Sequence, residues 1–480
     1  MKKIFYYLMA FTLGFSTLTM AQQKDNFLAT QPVYLDNGYL DNESVEDLRK
    51  TQMYVKAVSA YEFALPIVGL EQWRKNFLKE AEYGDFLLYD NLDQKISIIT
   101  ANKTTPYTVS FVDLRTSAYY IEIPAGRIGG LLLDNYQRPQ ADLGILGPDK
   151  GKGGKYLVVG PEDNVPENHD ADYVIKSTTN VIFFGTRIIG AKDAEEVDKL
   201  RKQHFVYKIT DSKEGQKWID ATATPEWRGR QSRDLEYWED LYNALVMETV
   251  EGVNRLIWTQ LRDLGITKSG GFHPNKEEQE ILIMATQKGE AIAMVQTFSK
   301  KSYKSKHWED RNWRYILNQS RLDLMHEDYY EAKEIASFTY EAITTSKGMV
   351  LPTVGQGSKY LGVYVDGDEE WLDGSNTYEI IIPKDVPAAD FWSIAVYNND
   401  TRCLIENESK KSIVNNKREI KVEKDGSVKV FIGPECPKGY EANWVESNKG
   451  EGFFMYFRLY GPLESYYDKT WKMSDVNRVK

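Results

Sequence analysis

The chain has 480 residues, 42% hydrophobic and 13% aromatic, enough to bury more than one core. Its 60 basic and 71 acidic side chains leave a formal net charge of −11, which repels polyphosphate, and no local basic patch offsets it, so no nucleic-acid partner is expected. The aromatic share, with 31 Tyr and 11 Trp, leans toward β-structure and toward surfaces that stack on sugars or other flat ligands.

At the N-terminus Lys2 and Lys3 precede an apolar run from Ile4 to Leu18 and the small-residue end Thr19-Met20-Ala21. This pattern predicts a signal peptide over 1–21, cleaved after Ala21, and hence an exported protein, periplasmic or secreted. Removing those two lysines from the 60 basic residues leaves 58 against 71, a net charge of about −13. No later stretch reaches the roughly 18 uninterrupted apolar residues of a spanning helix, so no membrane span is expected.

Ser44-Val45-Glu46-Asp47 resembles a capping box with Asp in place of Glu. Leu48, Tyr54, Val55, Val58, Tyr61 and Leu65 then recur at helical spacing until Pro66 limits the helix. From about Asp85 the period changes to two: Tyr107, Val109 and Phe111 alternate with other residues, as do Tyr119, Ile121 and Ile123. Gly129 to Leu133, Leu157 to Val159 and Val181 to Phe184 read as more buried strands, giving a sandwich or barrel-like sheet behind an N-terminal helix.

Between these strands lies Gly147-Pro148-Asp149-Lys150-Gly151-Lys152-Gly153-Gly154-Lys155-Tyr156, a glycine- and lysine-rich loop. Glycines admit close backbone approach, which makes Lys150, Lys152 and Lys155 a candidate anion site. The nucleotide version fails, because Asp149 stands where a phosphate loop needs its first glycine and Tyr156 where it needs Ser or Thr. The competing reading is a structured turn between buried strands.

The character changes near Ala191. Asp193 to His204 is charged and helical, and Leu235, Trp238, Leu241, Tyr242 and Leu245 form a helical apolar stripe. Helical spacing returns over Val253 to Leu264 and Glu277 to Phe298, while residues 299 to 345 form a mixed connector. From Tyr360 the chain is strand-like again, with Tyr378, Ile380 and Ile382, then Phe391 to Tyr397, then Val428, Val430 and Ile432. Phe453, Met455, Phe457 and Leu459 end the series. Cys403 and Cys436, the only cysteines, are compatible with one disulfide or with two free thiols.

Several short motifs, taken together, resemble a known family. They are Gly129-Gly130-Leu131, the glycine-lysine loop, Asp373-Gly374-Ser375-Asn376-x-Tyr378, Phe391-Trp392-Ser393, Tyr397-x-x-x-Thr401-Arg402, Asn443-Trp444 and Arg458-Leu459-Tyr460-Gly461-Pro462. The chain resembles, from about Asp36 to Trp471, a two-module bacterial family: the domain of unknown function 1254 followed by the domain of unknown function 1214. The resemblance implies two jelly-roll-like β-sandwiches with intervening helices, an arrangement also seen in viral double jelly-roll coat proteins and similar to amidase sandwiches that act on glycans. It implies no established reaction. The second module has Asp after the Tyr of its Y-D-x-x-T-R run, whereas Asn398 stands here, so no acid role carries over.

The expected class is therefore α+β, mainly β, with two jelly-roll-like antiparallel β-sandwiches and a helical segment between them. The modules are placed at 36–190 and 346–472, with the helical middle at 191–345. For chemistry, the acidic loop Asp366 to Asp373 departs from the EF-hand template at Trp371 and Thr377 and reads as a solvated hairpin tip. There is no G-x-S-x-G, no H-E-x-x-H and no cofactor motif, and the five histidines are widely spaced.

The best constellation is in the second module. Arg402 and Arg458 sit on or beside apolar strands and must find acceptors. Tyr397, Asn443, Trp444 and Tyr460 add hydrogen bonds and a stacking face, the mixture a sugar or carboxylate needs. The leading expectation is an exported protein that binds, and by extension processes, a glycan or other polar envelope component. One alternative is a structural or assembly jelly-roll protein that forms a homo-oligomer. The other is a hydrolase using a carboxylate such as Asp149 or Asp373 as general base.

Overall fold

The computed structural model describes residues 26–90, 96–221, 227–299, 305–317 and 329–479, so the expected signal peptide at 1–21 lies outside the described residues. Helix takes 28% and strand 27%, and the sheets are mostly antiparallel and none is closed, an α+β protein built on two β-sandwiches.

The first sandwich pairs a six-stranded sheet with a four-stranded one. The larger runs, edge to edge, Trp218–Asp220, Phe86–Tyr89, Tyr107–Asp113, Val181–Ile188, Ile128–Asp134 and Pro139–Gly144. The smaller runs Phe205–Lys208, Tyr119–Ile123, Gly154–Val159 and Tyr173–Lys176. Phe86, Val112, Ile121, Leu132, Tyr156 and Phe184 fill the space between them. Two of these strands, Phe205–Lys208 and Trp218–Asp220, follow the boundary expected at 190, because a charged helix, Ala194–Arg201, only bridges back into the same sandwich.

The second sandwich repeats the plan. Its larger sheet runs Arg314–Tyr315, Ser358–Val363, Phe453–Pro462, Ala388–Asn398 and Ile413–Asn415, and its smaller one Trp444–Glu446, Val428–Gly433, Tyr378–Ile382 and Asn477–Arg478. Leu361, Ile380, Ile394, Val430, Met455 and Phe457 form its core.

One helix of 36 residues, Asn42–Phe77, ties these layers together. Its last turns lay Leu70, Trp73 and Phe77 on the outer face of the first module's larger sheet, against Val109, Phe111 and Phe183. Its middle packs Tyr61, Ala64 and Leu65 among the helices Glu236–Val246, Lys276–Met294 and Ala332–Glu341, in a core that reaches Tyr397 and Tyr456 of the second sandwich.

The helix departs from the sequence expectation at both ends. Its cap is Asp41, whose carboxylate accepts from Ser44 N at 2.8 Å, while the Ser44 hydroxyl accepts from Val33 N at 2.8 Å. Nor does Pro66 stop it, although the ring removes one backbone donor. Leu65, Ile67, Val68 and Leu70 are fully buried around the proline, and Gln137 Nε2 donates to the Pro66 carbonyl at 2.8 Å. Tertiary packing carries the helix through. An 18-residue window of it reaches a mean hydropathy of 1.2, apolar enough to cross a membrane by length and composition, but 67% of that window is buried in protein.

Candidate functional site

The strand Phe453–Pro462 has two faces of different character. Phe453, Met455, Phe457 and Leu459 point into the second sandwich, so the pleat turns Tyr456, Arg458 and Tyr460 toward the first module. In the first module Ile182 and Phe184 enter the sandwich core, and the same alternation puts Phe183, Gly185 and Arg187 on the outer face. Where the faces meet they enclose a cavity of about 150 Å³. Trp73, Tyr89, Val109, Leu131 and Phe183 supply apolar walls, and Thr100, Asn102, Tyr107, Arg187, Tyr360 and Arg458 the polar end.

Gly129 keeps this space open beside Arg187. A Cβ there would lie 3.1 Å from Ile189 Cδ1 and 3.5 Å from Arg187 Nε. The Gly129-Gly130 pair thus lets the guanidinium lie close to the backbone of the neighbouring strand.

Arg458 is 5% exposed. Its Nη2 donates to the Thr100 carbonyl at 2.5 Å and to the Tyr397 hydroxyl at 2.7 Å, and Nε has no partner among the described residues. The guanidinium lies 4.6 Å from the centre of the Tyr360 ring, and that of Arg187 5.3 Å from the Tyr460 ring. Among the described residues, no carboxylate pairs with either arginine. Arg458 is buried and Arg187 half-buried. A guanidinium drawn out of water ordinarily has a counter-charge, so two without one define an electropositive end to an otherwise apolar cavity.

The tyrosines record this field. Burial pushes the Tyr397 hydroxyl up to about 12 and that of Tyr460 well above the usual phenol range. Burial acts on Tyr360 in the same sense, but Arg187 and Arg458 outweigh it and hold its pKa below the ordinary 10.0. Ser358 Oγ also donates to the Tyr360 hydroxyl, at 2.8 Å.

Thr100 sits at the centre of this end with φ = +43°, in the left-handed region that a β-branched residue pays to enter. It is clamped from both sides. Its N–H donates to the Arg402 carbonyl at 2.8 Å while its own carbonyl accepts from Arg458.

Of the six ligand residues expected from the second module, Tyr397, Arg458 and Tyr460 come together here. Tyr460 stacks on Phe391 at 4.0 Å, and its hydroxyl accepts from Asn102 Nδ2 at 2.5 Å. Arg402 reaches the site only through its backbone. Its fully buried side chain donates to Gln231 Oε1 at 2.9 Å, lies 3.4 Å from Glu290 Oε1, and covers the Tyr340 ring at 4.1 Å, so its charge is neutralised.

Trp444 opens a strand of the smaller sheet, Asn443 ends the 3-10 turn just before it, and both serve the fold. Asn443 accepts from Lys421 N and donates to the Lys421 and Lys429 carbonyls, each at 2.8 Å. The Trp444 indole donates to the Gly433 carbonyl at 2.9 Å. The Asn398 side chain caps its own turn, accepting from Asp400 N at 2.9 Å and Thr401 N at 3.0 Å.

The glycine-lysine loop does not gather its lysines. Lys155 pairs with Asp170 at 2.6 Å and lies 3.9 Å over the Tyr120 ring, whereas Lys150 and Lys152 are exposed. The ordering residue is Asp149, 2% exposed, whose Oδ1 accepts from Gly144 N at 2.8 Å and Tyr156 OH at 2.6 Å. Asp373 is an exposed turn residue accepting from Ser375 N at 2.8 Å, and neither acid lines the cavity. In the acidic loop Asp366 Oδ1 accepts from Asp368 N at 3.0 Å and Glu370 N at 3.1 Å, closing the hairpin tip on itself. Cys403 and Cys436 are not joined to each other in a disulfide.

Sequence reasoning missed Arg187, Tyr360 and Thr100. The signal for Arg187 was a charge two residues beyond Gly185 at the end of an apolar strand, next to a Gly-Gly pair on the neighbouring one.

Residues 86–210 match the family model described as Protein of unknown function (DUF1254), and residues 357–464 match Protein of unknown function (DUF1214). No curated protein matches the chain. Among solved structures, the VPA0106 protein from Vibrio parahaemolyticus is similar in fold, with 16% identity and a TM-score of 0.54 over 90% of this chain and 100% of that one. An uncharacterised protein from Burkholderia cenocepacia aligns at 13% identity and a TM-score of 0.40, over 98% of each chain.

Proposed function

We propose that this chain, which carries the DUF1254 module followed by the DUF1214 module, binds a small amphipathic organic anion between them, a carboxylate on an apolar body. One observation carries the reading: Arg187 from one module and Arg458 from the other line the polar end of the same apolar-walled cavity without a carboxylate partner among the described residues. A ligand carboxylate supplies the missing charge, and guanidinium groups match its geometry. The apolar walls take the body of the ligand, with about 25 cal/mol gained per Å² removed from water. An envelope glycan enters this reading through an acidic group, since Trp444 is committed to the Gly433 carbonyl. Export, read from residues 1–21, belongs to the same proposal.

Isothermal titration of the purified chain with octanoate tests it, with octanol as the uncharged control. Octanoate is expected to bind at least about tenfold more tightly than octanol, a difference of about 1.4 kcal/mol. Arg187→Met and Arg458→Met are each expected to remove that preference. Equal binding of acid and alcohol, or no binding of the acid, overturns the proposal.

A further inference from the structure

Next to the cavity lies a second chamber of about 250 Å³ that shares Ile316, Phe338, Met349 and Tyr360 with it as common walls. Neither space alone reaches the roughly 300 Å³ at which ligand pockets usually begin. Together they pass it.

The second chamber has a polar end of its own. Lys359, 8% exposed, donates from Nζ to the Met349 carbonyl at 2.7 Å and the Leu351 carbonyl at 2.8 Å. An ammonium carries three donors, so one has no acceptor among the described residues. Burial alone holds this amine down to about 8, as expected of a cation without an anionic partner. His307 is 1% exposed and stacks on Tyr466 at 4.6 Å. Its Nδ1 shares a hydrogen bond with the Tyr315 hydroxyl at 2.8 Å, and its Nε2 is buried with no partner among the described residues. An unsatisfied ring nitrogen in a buried wall is costly, and a ligand atom would satisfy it. Burial pushes His307 to about 3, so the imidazole is neutral and adds no repulsion toward Lys359.

We propose that the two chambers form one bipolar cleft for an elongated dicarboxylate, one end held by Arg187 and Arg458 and the other by Lys359 and His307. The inference rests on the proposed anion site and extends it to a ligand class with two acidic ends. Tyr360, which stands beside Arg187 and Arg458, is a wall of both chambers and marks where they adjoin.

The test compares saturated monocarboxylates and dicarboxylates of matched length, from adipate to dodecanedioate, by titration calorimetry on the full chain. At one chain length the dicarboxylate is expected to bind about tenfold or more tightly than its monocarboxylate. Lys359→Met is expected to erase that advantage and leave the monocarboxylate unchanged. Monocarboxylate binding without a dicarboxylate advantage at any length overturns the cleft while leaving the anion site standing; absence of both overturns the two together. The wild-type comparison needs no variant, so poor folding of Lys359→Met does not blunt it. His307→Phe supplies a second check, expected to weaken the dicarboxylate alone.

Discussion

Arg458 Nη2 donates to the Tyr397 hydroxyl at 2.7 Å, and that hydroxyl donates in turn to the Ala101 carbonyl at 3.1 Å. The guanidinium is thus fixed in place by neutral acceptors, and nothing among the described residues balances its charge. Replacing a buried ionic group by a packed apolar one is often neutral or stabilising, by about 1–4 kcal/mol. Arg458→Met is therefore expected to leave the melting temperature unchanged or raise it while removing the preference for the anion over the alcohol. Thermal unfolding beside titration separates the two effects, and a fall of several degrees in melting temperature would make Arg458 a structural residue.

Gly129 makes the complementary prediction. Its absent Cβ would approach Arg187 Nε to 3.5 Å, and the methyls of valine reach farther. Gly129→Val is expected to displace the Arg187 side chain and weaken carboxylate binding about tenfold, with an overpacking cost of about 1–3 kcal/mol. Unchanged affinity in the folded variant would show that Arg187 does not contribute to the site.

Much of this arrangement was readable from period-two patterns. Phe453, Met455, Phe457 and Leu459 mark one face of a strand, so Arg458 and Tyr460 had to share the other. What the pattern leaves open is which surface that second face meets. The answer is set by contacts far apart in sequence, such as Arg458 to Thr100 and Asn102 to Tyr460. For the same reason Asn443 and Trp444 read as ligand groups: a side chain that satisfies its own module's backbone has the same sequence signature as one awaiting a ligand. Pro66 is a local rule overridden, because the apolar side chains flanking it are buried against several elements at once.

The glycine-lysine loop yields a prediction in which the acid, not the lysines, matters. Asp149 accepts from Gly144 N and Tyr156 OH through Oδ1 and from Gly151 N at 3.2 Å through Oδ2. Removing it strands these buried donors, at a cost of about 1–3 kcal/mol for each one left unmet. Asp149→Ala is expected to destabilise the chain by about 2–4 kcal/mol in urea unfolding, whereas Lys150→Ala and Lys152→Ala stay within about 0.5 kcal/mol. Loss of carboxylate binding in either lysine variant would restore the loop as an anion site.

Asp142 gives the pH dependence. It lies on the strand Pro139–Gly144, accepts from Lys347 N at 3.2 Å, and has an Oδ2 with no partner among the described residues. Burial, only partly offset by the Lys347 N–H and the Lys347 charge, pushes its carboxyl from 3.8 up to about 6. A folded-state pKa above the unfolded value means that the fold prefers the protonated form. The associated stability is fully present below the unfolded pKa near 4 and is lost as pH rises through about 6. A shift of about two units corresponds to roughly 3 kcal/mol at most. Asp142→Asn keeps an acceptor for Lys347 N and removes the titration. The variant should therefore gain stability relative to wild type between pH 4 and pH 8, read as the difference between urea-unfolding free energies across that range. Parallel pH profiles for the two proteins would mean that Asp142 stays ionised in the fold, with Oδ2 hydrated.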